Sequence, residues 1–165
     1  MNLILIRHGP AVPSGTKGVA DADRRLTPDG RKKTTRAFEG LRRLNLGIDE
    51  IHTSPLPRAL ETAEILSRVL KLPKPKVTDH LLPEASGPSV LEILRGLKGK
   101  APALVGHEPG LSSALGLCLG SAEASSVRFK KAGVAVVELQ GGASPAKGLL
   151  RLFLTPAVLR EFARR

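Results

Sequence analysis

Met1-Asn2-Leu3-Ile4-Leu5-Ile6-Arg7-His8-Gly9 is the stretch whose reading decides the fold. Leu3 to Ile6 is an unbroken apolar run, long enough for a strand buried on both faces and too short for a helix. It stops at Arg7-His8-Gly9, with Pro10 directly behind. A strand of this kind delivers a cation, an imidazole and a glycine to its carboxyl end. In an open α/β sheet, ligands bind in the crevice outside the carboxyl ends of the strands. Gly9 lets the backbone come close to a ligand, and Pro10 cannot extend the ladder. Read alone, His8 also fits a satisfied core histidine and Arg7 a solvated strand end. Further stretches decide between the two.

Outward from that strand, the chain has 165 residues, enough for one domain, 1–165, with a real core. Aromatic residues make up 2% of it, with no Trp and no Tyr, so the core has to be built from Leu, Val, Ile and Ala. The same scarcity removes the stacking platforms on which single-stranded nucleic acid is bound. One cysteine, Cys118, excludes an intramolecular disulfide and a thiolate cluster for zinc. Its apolar surroundings read as core in a reducing compartment. The first residues show no secretory pattern and no stretch approaches membrane-spanning length, so a soluble, cytoplasmic protein with no membrane partner is expected. The formal net charge of +11 implies attraction to something anionic. Its basic pairs, Arg24-Arg25, Lys32-Lys33, Arg42-Arg43 and Lys130-Lys131, are scattered as on solvated faces. Few Asn and Gln beside 13 prolines lean toward a thermophilic source.

The remaining chain alternates strand and helix signals. Ala11 to Arg25 is loop material. Thr27-Pro28 reads as N-cap and first helical position, with Asp29 favouring the dipole, and the helix runs to about Leu44 with Gly47 past its end. A strand at Glu50 to His52 precedes a helix from Pro57 to about Leu70, stopped by Pro73 and Pro75. A third helix is expected around Ser89 to Leu97, then a buried strand at Ala103 to Val105 and an apolar helix at Leu111 to Leu119. Val127 to Lys130, Val134 to Leu139 and Leu149 to Leu154 all read as strands. Thr155-Pro156 caps a final helix carrying Leu159 and Phe162. Early alternation followed by a strand-rich part predicts a three-layer α/β/α sandwich, its sheet mostly parallel with antiparallel strands toward the C-terminal part.

Two stretches repeat the logic of the first. In Thr53-Ser54-Pro55-Leu56-Pro57-Arg58 a strand breaks, and Arg58 falls in the first turn of the next helix. A cation there opposes the helix dipole, which suggests that it serves a ligand. Leu104-Val105-Gly106-His107 is a second buried strand ending in glycine and histidine. Arginine forks hold phosphoryl oxygens bidentately, and a neutral imidazole supplies an in-line nucleophile. A second imidazole, when protonated, stabilises developing charge.

On these residues the chain resembles the histidine phosphatase superfamily, the fold of cofactor-dependent phosphoglycerate mutases. The matching motifs are Leu5-Ile6-Arg7-His8-Gly9, Ser54-Pro55-Leu56-Pro57-Arg58-Ala59 with Thr62-Ala63, and Val105-Gly106-His107-Glu108-Pro109-Gly110, in the family's order. The resemblance implies that His8 is phosphorylated and that Arg7, Arg58 and His107 form the phosphate pocket. Small size and Arg24-Arg25-Leu26-Thr27-Pro28-Asp29-Gly30 make the chain most similar to SixA-type phosphohistidine phosphatases. Arg24 stands where that branch has a phosphate-side Arg, and Arg25 where a proline is more usual.

Glu84, in Leu81-Leu82-Pro83-Glu84-Ala85, lies where the family's general acid commonly falls; it reads equally as a loop carboxylate. A phosphohistidine substrate relaxes the need for that acid, since its leaving imidazole takes a proton on its own ring. The expected reaction is transfer to His8 followed by hydrolysis, with no metal or other cofactor, because the arginines supply the charge magnesium gives elsewhere. A small-molecule phosphomonoesterase or mutase-like enzyme is the alternative. A non-catalytic phosphoprotein-binding module and a nucleic-acid binder are weaker readings.

Overall fold

The computed structural model describes residues 1–97, 99–121, 127–140 and 148–164. The opening apolar run becomes β1 (Asn2–Arg7), in which Leu3, Ile4, Leu5 and Ile6 are all fully buried. Full burial of both faces is possible because side chains alternate: Ile4 and Ile6 face one core, Leu3 and Leu5 the other. At roughly 1.5–3 kcal/mol for each such side chain, an upper estimate, these four residues anchor the sheet.

Around β1 the sheet is built from β2 (Glu50–Thr53), β3 (Lys76–Val77), β4 (Pro102–Gly106), β5 (Val134–Leu139) and β6 (Gly148–Leu154). Its order is β3-β2-β4-β1-β5-β6; the first four strands are parallel, and β5 and β6 pair antiparallel. Three helices, α1 (Pro28–Arg43), α2 (Pro57–Leu70) and, after β6, α5 (Pro156–Phe162), cover the face of Ile4 and Ile6. The face of Leu3 and Leu5 is covered by α3 (Gly87–Glu92) and α4 (Gly110–Cys118). This is the expected three-layer α/β/α arrangement with a phosphoglycerate mutase-like sheet.

Local signals explain most boundaries. The Thr27 side chain accepts a hydrogen bond from the Gly30 amide at 2.9 Å, capping α1 as expected. Glu61 on α2 accepts from Arg25, from Arg31 and from the Leu26 amide, tying α2 to the loop ahead of α1. Buried Cys118 packs in the second core, where burial pushes its thiol pKa up to about 11. No helix among the described residues is long and apolar enough to cross a membrane.

Several expectations need correction. Val127 to Lys130 is not a strand. Its backbone groups are taken by side chains: the Phe129 amide donates to Glu108 at 2.6 Å and the Phe129 carbonyl accepts from Arg7 at 2.6 Å. No ladder can form where both groups are already spent. The third helix begins at Gly87, because Ser86 caps it through the Ser89 amide, and tightens into a 3-10 turn over Ile93–Gly96. Thr155 stands at the N-cap of α5 without a side-chain cap bond. Two-residue β3 escaped notice because the prolines around it mask so short a segment.

Helix α5 docks on α1 at Gly40, where a Cβ would collide with the Leu159 carbonyl. Gly40→Ala should therefore lower unfolding stability by about 1–3 kcal/mol, the usual cost of overpacking. Urea unfolding of the variant against wild type measures it; an unchanged midpoint would mean that α5 contributes little.

Candidate active site

The register of β1 against β4 places the chemistry. Arg7 lies opposite Gly106, so His8 and His107, one residue beyond, leave the sheet side by side. Their rings stand with centroids 5.0 Å apart and planes tilted by 51°. The His8 amide donates to the Gly106 carbonyl at 3.1 Å, which extends the pairing up to the site. Gly9 is needed because a Cβ there would strike Thr34. Its amide donates to Thr62 Oγ1 at 2.9 Å, and that hydroxyl donates to the Arg58 carbonyl at 2.6 Å, coupling the first motif to the second.

His8 and His107 are each 5% exposed. His8 Nδ1 is 2.7 Å from the carbonyl oxygen of Gly9, so Nδ1 carries the hydrogen and Nε2 keeps its lone pair. His107 Nε2 lies 3.1 Å from Ser54 Oγ. Both imidazoles are pushed from the ordinary 6.5 down to about 3. For His8 the main cause is burial, then the neighbouring His107; for His107 it is burial, then Arg58, Arg7 and Arg24. Neutral His8 with a free Nε2 is the form a nucleophile requires.

The cations come from separate elements. Arg58, 2% exposed in the first turn of α2, reaches the Asp21 carbonyl at 2.8 Å and the Asp21 carboxylate at 3.3 Å. Arg24 binds the other oxygen of that carboxylate at 2.8 Å and the Val12 carbonyl at 2.9 Å. Its neighbour Arg25 turns away to Glu61, so of the basic pair it is Arg24 that faces the site. Arg7 is aimed by the Phe129 carbonyl. The Nε atoms of Arg7 and Arg58 are buried with no partner among the described residues. Donors of this kind want an anion.

Glu84 follows Leu81, whose side chain lies against Gly106, directly before His107. It is exposed, on a loop packed against the start of α4 through the Ala85 carbonyl, and forms no hydrogen bond or ion pair among the described residues. Glu108 accepts from Ser112 Oγ, the Ser112 amide and the Phe129 amide, and so holds the loop that aims Arg7. Sequence reasoning also passed over Asp21, which orients two arginines, and over Lys131. The Lys131 side chain is exposed, yet its ammonium is within charge range of Arg7, Arg24 and Arg58. The signal that could have found it is the antiparallel course of β5, which brings the turn before Val134 beside the end of β1. No group of three or more His, Cys, Asp and Glu suited to a metal occurs among the described residues.

The two lowered histidine pKa values tie stability to pH. Unfolded histidines take up protons near pH 6.5, while the folded pair resists down to about pH 3. The contribution is neutral above pH 6.5, and stability falls as the pH drops from there toward about 3. The ring proton shifts of His8 and His107 should stay flat in NMR titration from about pH 8 to about pH 4.5, against the ordinary histidine midpoint near 6.5. A midpoint near 6.5 for either would show that the pocket does not hold them neutral.

With this geometry in view, the comparisons with known proteins converge. A profile of the histidine phosphatase superfamily (branch 1) matches residues 3–88, just over half of the chain. An uncharacterized protein of Picosynechococcus sp. is 34% identical over 147 residues, covering 87% of each chain. A serine/threonine-protein phosphatase Pgam5, mitochondrial, of Drosophila ananassae is 39% identical over 80 residues, 47% of this chain and 26% of that protein. Among solved structures, the protein histidine phosphatase SixA complexed with tungstate superposes with a TM-score of 0.83 at 24% identity, covering 96% of this chain and 99% of that one. A phosphoserine phosphatase of Entamoeba histolytica gives 0.69 at 15% identity, over 94% and 97%. These two likenesses carry the fold, and the profile, over more than half of the chain, carries the family: the chain belongs to the histidine phosphatase superfamily, branch 1, and is a phosphatase of that superfamily.

Proposed function

We propose that this phosphatase acts on phosphohistidine in a protein substrate, in the cytoplasm, through a phospho-His8 intermediate and without a metal. The observation that carries the reading is the buried, neutral His8, its Nδ1 hydrogen given to Gly9 and its Nε2 free beside Arg7, Arg58 and His107. Nε2 attacks phosphorus in line. The phosphorylated ring keeps its Nδ1 hydrogen, so in the second step it departs from phosphorus as a neutral imidazole and water takes the phosphoryl group. Arg7 and Arg58 hold the equatorial oxygens, with Arg24 as a further cation; His107 gains a proton as the dianion enters and stabilises the transferring group. The arginines provide the charge, so no metal is called upon.

The choice of substrate rests on the surrounding carboxylates. Asp21 and Glu108 are engaged as acceptors by arginine, amide and hydroxyl donors, and Glu84 is exposed and held by no hydrogen bond or ion pair among the described residues. With those two carboxylates engaged and Glu84 fixed by no such bond, the site suits a leaving imidazole better than an alkoxide. The net charge of +11 suits an anionic protein surface.

His8→Ala should form no phosphoenzyme from labelled substrate, while wild type should give an acid-labile label; acid-stable label would remove His8 as nucleophile. Arg58→Ala should cost about 3–6 kcal/mol in kcat/KM, the loss of two charge-assisted bonds at about 1.5–3 kcal/mol each. The deciding comparison is kcat/KM for a phosphohistidine peptide beside a panel of phosphate monoesters, in excess chelator, for wild type and Glu84→Gln. The peptide should be preferred and the Glu84→Gln change should hardly matter. A monoester preferred by orders of magnitude would make this a small-molecule phosphatase instead, and loss of activity in chelator would mean a metal takes part.

A further inference from the structure

We infer that Lys131 is the proton donor to the leaving group, an inference that rests on the phosphohistidine reading of the site. Lys131 belongs to a turn stapled onto the catalytic strand. The Ala132 amide donates to the carbonyls of both Arg7 and His8, at 3.0 Å each, and the Arg7 amide donates to the Gly133 carbonyl at 3.2 Å. Ala132 itself is buried in the left-handed conformation, φ 62°, which fixes how the turn presents its neighbour. The Lys131 side chain therefore starts next to His8 but stays exposed. It makes no ion pair or hydrogen bond among the described residues, whereas Arg7 and Arg58 are held by carbonyl or carboxylate oxygens.

That placement matches the direction of the reaction. His8 attacks from the buried side, so in-line geometry sends the leaving group out past the exposed rim. In a phosphohistidine the atom that must gain a proton is the ring nitrogen remote from phosphorus, two bonds beyond the breaking P–N bond. An alkyl ester would need its donor deeper, at the oxygen bound to phosphorus. An ammonium on the rim fits the first. Charged groups facing it are Arg7 from β1, Arg58 from α2 and Arg24 from the loop before α1, with His8 and His107 neutral; Lys130 and Arg128 follow on its own segment. Partial burial and then the three guanidinium charges lower its pKa, so it gives up a proton more readily than a solvated lysine. The guanidinium groups around it cannot do so.

The proton balance closes over two steps. First the His8 Nε2–P bond forms and the substrate N–P bond breaks, its electron pair staying on the departing ring, whose remote nitrogen takes a proton from Lys131. Then water attacks phosphorus, the pair of the P–N bond returns to His8 Nε2, and the proton lost by the water restores the Lys131 ammonium. Inorganic phosphate leaves.

The test compares Lys131→Met and Lys131→Arg with wild type on a phosphohistidine peptide and on an aryl phosphate, whose leaving group needs no proton. Both variants should lose about 10²-fold or more in phosphohistidine kcat, in the range usual for general acid catalysis. On the aryl ester the loss should be at least about ten-fold smaller than on the phosphohistidine peptide, no more than the removal of one pocket cation costs, and a labelled phospho-His8 formed from that ester serves as the check on folding. The alkaline limb of the wild-type phosphohistidine pH profile should disappear in Lys131→Met. Rescue by Arg would overturn proton donation in favour of charge alone. Equal losses on both substrates would reduce Lys131 to phosphate binding, and no loss would remove it from the site. Each of these leaves an active wild type; a wild type that forms phospho-His8 from the aryl ester yet ignores the phosphohistidine peptide would overturn the substrate reading, and this inference with it.

Discussion

The parallel pairing of β1 with β4 is the constraint on which the site depends. Both strands are buried on both faces, and a one-residue slip would turn every apolar side chain to the opposite core. The hydrophobic pattern thus fixes the register, and the register fixes His8 against His107. The placement of the two histidines is inherited from core packing.

That packing also sets the electrostatics. Burial removes the water that would favour an imidazolium, and the arginines oppose a further positive charge, so both histidines stay neutral. The cost of crowding Arg7, Arg24 and Arg58 together is offset at the edges. Asp21 sits between Arg24 and Arg58, and Glu108 lies within charge range of Arg7 while holding the Phe129 backbone that aims it. Neither carboxylate neutralises the centre, which stays positive and suited to a phosphoryl dianion. Solved structures with this fold include phosphatases named for different phosphorylated residues, so the fold alone does not name the substrate.

The sequence by itself determined the parts of this protein whose signals are local. Leu3 to Ile6 can only be a doubly buried strand, Thr27-Pro28 announces a helix, and three motifs carry Arg7, His8, Arg58 and His107 at element ends. What only the tertiary structure decided are relations between segments far apart in the chain. Val127 to Lys130 has the composition of a strand, but Glu108 and Arg7 claim its backbone groups from distant positions. Arg24 and Arg25 are equivalent as letters, and only the fold turns one to Asp21 and the other to Glu61. Lys131 reads as one of many surface lysines until antiparallel β5 carries its turn back to the end of β1. Propensity and periodicity act within a few residues, whereas the partner of a polar group is chosen by whichever distant segment folding brings within hydrogen-bond reach.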